Sequence, residues 1–130
     1  MKWLLVTMMI LLLFSCEKEE RHLDIYYLPQ NMTSAVRIDC RWVQSSMYQN
    51  VKNIIIRDED FNSEFDTYHS ELNESDGIYP PDVRIRILYH HGRETDTICM
   101  GEYFGIMVNG QQKEDSPKLL KLIKDRIYKK

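Results

Sequence analysis

The sequence predicts an α+β fold, a mainly antiparallel sheet of four or five strands with two helices packed on one face. Three observations carry that prediction. Asp82 to His90 alternates apolar and polar residues with period two, the mark of a half-buried strand. A His91-Gly92-Arg93-Glu94 turn then returns the chain as a second strand, so the two should pair antiparallel. Residues 59–73 and 116–130 instead space their apolar residues at helical intervals. Strands outnumber helices, and two helical stripes need one apolar sheet face to cover.

The elements follow in order. Ile25 to Leu28 is a short apolar and aromatic run stopped by Pro29, which predicts a first strand. From Val36 to Val43, Val36, Ile38, Cys40 and Trp42 alternate with Arg37, Asp39 and Arg41, which predicts a second. Asn50 to Arg57 carries Val51 and the triplet Ile54-Ile55-Ile56, a third strand or a lead-in to the first helix. Over 59–73, Phe61, Phe65, Tyr68 and Leu72 line one helical face. Asp58 or Asp60 caps that helix, and acidic residues suit its positive end. Asn73 to Gly77 ends it, and Pro80-Pro81 forces an extended connection.

In the strand Asp82 to His90, Val83, Ile85, Ile87 and Tyr89 should face inward and Arg84, Arg86, Leu88 and His90 outward. Thr95 to Val108 is expected as one long strand, followed by a turn at Asn109-Gly110. Ser116 caps the last helix, and Pro117 takes its first position, where a missing N–H costs nothing. Leu119, Leu120, Ile123 and Ile127 form its buried stripe, with Lys118, Lys121, Lys124, Lys129 and Lys130 on the solvated side.

Ahead of this domain stands a different kind of segment. Lys2 supplies a positive start, and Trp3 to Phe14 is an apolar run of 12 residues interrupted only by Thr7. Ser15 is a small residue before Cys16, and the chain then turns charged at Glu17-Lys18-Glu19-Glu20. That is the layout of a cleaved secretory signal. The run is well short of the ~20 residues that cross a bilayer. The expected organisation is a removed signal over 1–15, a charged linker over 16–22 and a single domain over 23–130.

Leu13-Phe14-Ser15-Cys16 resembles the lipid-attachment box of bacterial lipoproteins, with Leu13, Ser15 and Cys16 matching the family pattern. The resemblance covers about the first 20 residues. It implies that Cys16 receives a diacylglyceryl thioether, that cleavage falls before it and that the new amino terminus is acylated. Two or more acyl chains hold a protein stably on a membrane, where one holds it marginally. The acidic cluster after Cys16 also looks like the export tag of some surface-exposed lipoproteins of Gram-negative bacteria. The resemblance therefore implies a cell-envelope protein on the outer membrane, facing periplasm or exterior.

Loss of 15 of the 130 residues leaves 115, enough for one modest core. It removes one of 17 basic residues and none of the 20 acidic ones, a mature balance of −4. That balance argues against a nucleic-acid partner, which would call for a strongly basic face. With Cys16 consumed by lipid, Cys40 and Cys99 remain in an oxidising compartment. They form either a disulfide or two buried thiols, since Cys99 lies on the opposite strand parity to Ile98 and Met100 while Cys40 shares a side with Ile38 and Trp42.

The catalytic inventory is poor. His22, His69, His90 and His91 are scattered, and His90 and His91 point to opposite faces of their strand. No H-E-x-x-H, C-x-x-C or G-x-S-x-G occurs, Asp58 and Asp60 sit in a capping context, and Ser45-Ser46 falls in a loop. No enzyme activity, metal or cofactor is expected.

Two features point to binding instead. Arg37, Arg41, Arg84 and Arg86 share the outward parity of their strands and would gather on the open face of the sheet. Guanidinium groups so placed suit carboxylates, sulfates or an acidic protein. The alternative is a solvated face neutralised by Asp39, Glu94 and Asp96. In Gly101-Glu102-Tyr103-Phe104-Gly105 a tyrosine stands between two glycines, a platform for a sugar or a peptide unless a neighbour covers it or Gly101 marks a bulge. The bulge is the better reading, because a regular strand would bury Glu102. The function expected is a lipid-anchored, non-enzymatic binding or accessory module with an acidic-protein or glycan partner. The alternative is a membrane-tethered inhibitor or immunity protein against a secreted enzyme or toxin.

Overall fold

The computed structural model of the chain describes residues 20–44, 50–77 and 79–129. The signal segment, Cys16 and Ser45-Ser46 lie outside the described residues. The fold is α+β. Six strands form one antiparallel sheet: β1 (Arg21–Tyr27), β2 (Lys52–Ile56), β3 (Ile85–His91), β4 (Glu94–Met100), β5 (Ile106–Val108) and β6 (Gln111–Lys113). Their order is β2-β1-β3-β4-β5-β6, so the strand count exceeds the expected four or five. The expected strand Val36 to Val43 is not among them; a break at Gly101 divides the expected strand Thr95 to Val108 into β4 and β5, and Gln111–Lys113 adds β6.

Two helices, α1 (Glu59–Ser70) and α2 (Pro117–Ile127), pack on one face of the sheet. Asp58 caps α1 by accepting from the backbone N–H groups of Asp60 and Phe61, and Ser116 caps α2 by accepting from Leu119. Phe65 of α1 and Leu119, Ile123 and Ile127 of α2 are buried against Leu23, Ile25, Ile56, Ile87, Ile98 and Met100. Period-two alternation sends those strand residues to one side, and period 3.6 sends the helix residues to meet them. Asn62 is buried with its amide donating to the carbonyls of Arg21 and Ile56, which ties α1 to β1 and β2. Leu120, expected in the stripe, is half-buried at its edge.

The other face of the sheet departs most from expectation. Val36 to Val43 is not a strand. The whole connection 28–44 folds over the sheet and carries only a short 3-10 turn at Cys40–Trp42. Leu28, Ile38 and Val43 pack with Val83 and Cys99 into a second, smaller core. The Ile38 N–H bonds the Asp82 carboxylate at 2.7 Å, and the Val83 N–H bonds the Ile38 carbonyl at 2.9 Å. Cys40 and Cys99 are disulfide-bonded, with Cα atoms 5.7 Å apart and a sequence separation of 59. The parity conflict dissolves because Cys40 sits on the covering connection, directly above the face to which Cys99 points.

Both ends of the sheet are built from turns. At one end a two-residue loop, Gly92-Arg93, joins β3 to β4, with Gly92 at φ +61. Asn109 (φ +51) and Gly110 (φ +81) join β5 to β6, the two left-handed residues that a type I′ hairpin demands. Arg21 pairs with His91, so β1 begins at this turn end, inside the stretch expected as linker. At the other end β1 delivers the chain at Tyr27, opposite Ile85, which in turn faces Met100. The Gly101–Gly105 loop leaves the sheet there. Six residue steps along β1 put about 20 Å between the two ends.

Candidate functional site

The loop Gly101–Gly105 begins and ends with the two glycines its shape requires. A Cβ on Gly101 would lie 2.1 Å from the Phe104 carbonyl oxygen. Gly105 has φ +90, and a Cβ there would lie 2.4 Å from the Pro81 ring. No bulge is formed at Gly101; the loop is a closed turn in which the Gly101 N–H donates to the Gly105 carbonyl at 3.1 Å.

Side chains from three other segments hold it. The Gly105 N–H donates to Asp115 (2.7 Å), the Lys124 ammonium donates to the Glu102 carbonyl (2.8 Å), and the Asn31 N–H donates to the Glu102 carboxylate (2.8 Å). The Tyr103 hydroxyl donates to the Asn31 side-chain oxygen, and Lys124 Nζ stands 4.6 Å from the centre of the Tyr103 ring. Asn31 itself has φ +60, a left-handed conformation that asparagine tolerates better than most residues. Desolvation and the Glu102 carboxylate raise the Tyr103 phenol above its ordinary value, so it stays a neutral donor.

The outcome is a fixed loop that exposes two aromatic rings, Tyr103 at 64% and Phe104 at 70%. A groove runs along each side of it. One, of about 370 Å³, lies between the loop and α2 and includes Ile106, Pro117, Leu120 and Lys121. The other, of about 320 Å³, lies between the loop and the 31–33 segment and includes Asp82, Arg84 and Glu102. Tyr103 and Phe104 border both.

The expected four-arginine face is not formed. Arg37 and Arg41 belong to the covering connection, where Arg37 donates to the Pro81 carbonyl and Arg41 is exposed beside Asp39. Arg84 is 7% exposed beneath that connection. Its guanidinium donates to Asp82 (2.7 and 3.2 Å) and to the Met32 carbonyl (2.7 Å), a structural role that leaves little for a partner. Arg86 is half-buried on β3 between Tyr26 and Cys99. The prediction failed because strand parity was assigned to residues 36–43, which do not form a strand.

The histidines are not scattered. All four lie towards the turn end, away from the aromatic loop. His22 and His90 are opposite each other in register, with rings stacked 4.4 Å apart. On the helix face, His91 Nε2 meets Asp96 Oδ2 at 2.9 Å, and Tyr89 donates to Asp66 at 2.8 Å. Burial, then the Asp66 contact, pushes the Tyr89 phenol to about 12. Among the described residues no group of three or more His, Cys, Asp or Glu is placed to hold a metal ion. No described helix is long and apolar enough to cross a membrane.

Sequence reading reached Tyr103 but missed Phe104, Asn31, Asp82 and Glu102 as members of one site. The paired aromatics between two glycines were a usable signal. The approach of Asn31 and Asp82 was not, because it depends on how the connection 28–44 crosses the sheet. Comparison of the chain with protein-family models, with curated proteins and with solved structures finds no match.

Proposed function

We infer that the protein is a lipid-anchored lipoprotein of the cell envelope that acts as a non-enzymatic binding module through its Gly101–Gly105 loop. One observation carries the reading: two largely exposed aromatic rings stand on a loop already held by its hydrogen bonds with Asn31, Asp115 and Lys124. Aromatic anchors dominate binding interfaces, and a loop ordered beforehand loses little entropy when a partner arrives.

The geometry suits a tether at Cys16. Five residue steps lead from Cys16 to Arg21, a reach of at most about 18 Å. The anchored protein would then hold its turn end near the bilayer and present the aromatic loop at the far end. That placement favours a partner out in the periplasm or exterior over the anchoring membrane itself.

Two measurements test this. Mass spectrometry of the membrane fraction should find an acylated peptide beginning at Cys16, and Cys16→Ser should release the protein. Affinity capture from envelope extracts should retain a ligand that the Tyr103→Ala/Phe104→Ala double variant loses at unchanged melting temperature. An intact Met1 terminus, or equal capture by the double variant, would overturn the corresponding half of the reading.

A further inference from the structure

We propose that the groove between the 31–33 segment and the aromatic loop is a binding site for a neutral saccharide, with Phe104 and Tyr103 as stacking faces and Glu102, Asp82 and Asn31 as hydroxyl partners. The proposal rests on the binding-module reading and names its ligand class.

The groove combines rings with carboxylates. Glu102 is 8% exposed, accepts from the Asn31 N–H, also acts on the neighbouring Tyr103 phenol and forms no ion pair among the described residues. A carboxylate offers about four acceptor positions, so part of its capacity is unspent. Asp82 is partly open beside it, engaged by Arg84 and by the Ile38 N–H. Asn31 has its side-chain oxygen taken by the Tyr103 hydroxyl, which leaves its amide NH2 as the donor. The site therefore presents fixed acceptors and a donor next to exposed rings.

Charge decides which ligand fits. The Arg84 guanidinium is neutralised by Asp82, so an anionic ligand would meet Glu102 without a free cation inside the groove. A cationic ligand would find the Tyr103 ring already engaged by the Lys124 ammonium, which lines the groove on the other side of the loop and stands 4.6 Å from the ring centre. A metal ion lacks a suitable set of side chains among the described residues. A neutral polyol meets none of these obstacles. Its hydroxyls donate to carboxylates in charge-assisted bonds, roughly twice as strong as neutral ones, and accept from the Asn31 amide. Its C–H faces lie against the negative faces of the rings. A volume of about 320 Å³ is at the small end of ligand sites and accommodates one or two sugar rings of a longer chain.

The test is an oligosaccharide array holding neutral, uronate-bearing and sulfated chains, probed with the detergent-solubilised full-length protein, followed by titration of any hit. The expected result is binding to neutral chains, weakened at least about tenfold by Phe104→Ala and by Glu102→Gln, retained by Phe104→Trp and untouched by Arg93→Ala at the turn end. Affinity should change little as salt rises, because no charge on the ligand is screened. Phe104 is too exposed for its loss to unfold the domain, so that variant stays informative if Glu102→Gln proves unstable. Binding confined to uronate or sulfated chains would overturn the proposal. So would an array with no hits alongside capture of a protein through Tyr103 and Phe104, an outcome that leaves the loop as a binding surface. No array hit and no loop-dependent capture would overturn both readings.

Discussion

His69 Nε2 stands 4.0 Å from Asp96 Oδ2, the same carboxylate oxygen that His91 Nε2 meets at 2.9 Å. Two imidazoles from α1 and β3 thus converge on one acid from β4. Burial lowers the pKa of His69 below 6.5; Asp96 and Asp66 oppose that fall, while His91 and Lys113 add to it. His22 is lowered too, by burial and by stacked His90. For Asp96, burial acts upward, and the Asn109 amide and the two imidazoles outweigh it to hold the carboxyl below its ordinary value.

Those directions set the acid response. A histidine with a folded pKa below its unfolded one takes up protons more readily when unfolded. The stability it contributes is present above about pH 6.5 and is lost as pH falls below that. Asp96 adds a further loss only below about pH 4. Urea midpoints should therefore drop between pH 7.5 and pH 5, and His69→Gln should reduce the drop while His22 keeps part of it. An unchanged slope in His69→Gln would mean that His69 is not the group responsible.

The Cys40–Cys99 bridge holds the connection 28–44 onto the sheet face opposite the helices. Its closed loop makes it worth up to about 4 kcal/mol on chain entropy. Reduction, or Cys40→Ala with Cys99→Ala, should lower stability by roughly 2–4 kcal/mol. Because Asn31 rides on that connection, the aromatic loop should lose support as well. Limited proteolysis should cut first within 28–44 in the reduced protein. Identical urea curves with and without reductant would contradict the assignment.

On α2 the two faces should respond differently. Ile123 is fully buried in the main core, so Ile123→Ala should cost roughly 2–5 kcal/mol. Lys121 lies on the solvated side, paired only with Asp125 one turn on, and Lys121→Ala should stay within about 0.5 kcal/mol. Equal losses in denaturant melts would mean the helix is rotated from the packing described.

What the sequence determined by itself was local. Period-two alternation in 83–89 set the buried row Val83, Ile85, Ile87, Tyr89, and helical spacing with Ser116 and Pro117 set α2 and its stripe. Asn109-Gly110 and Gly92 marked turns through their own backbone preferences. These features rest on interactions within a few residues, which a single sequence exposes. Tertiary structure decided the rest. The alternation in 36–43 mimicked a strand, yet the segment folds over the sheet, because Ile38 and Val43 find burial there and Cys40 reaches Cys99. That one rearrangement buried Arg84, dispersed the expected arginine face and brought Asn31 to Glu102 across 71 residues. Period-two patterning reports only that alternate residues want burial. Which surface buries them, and which distant side chains then meet, is settled by packing across the whole chain.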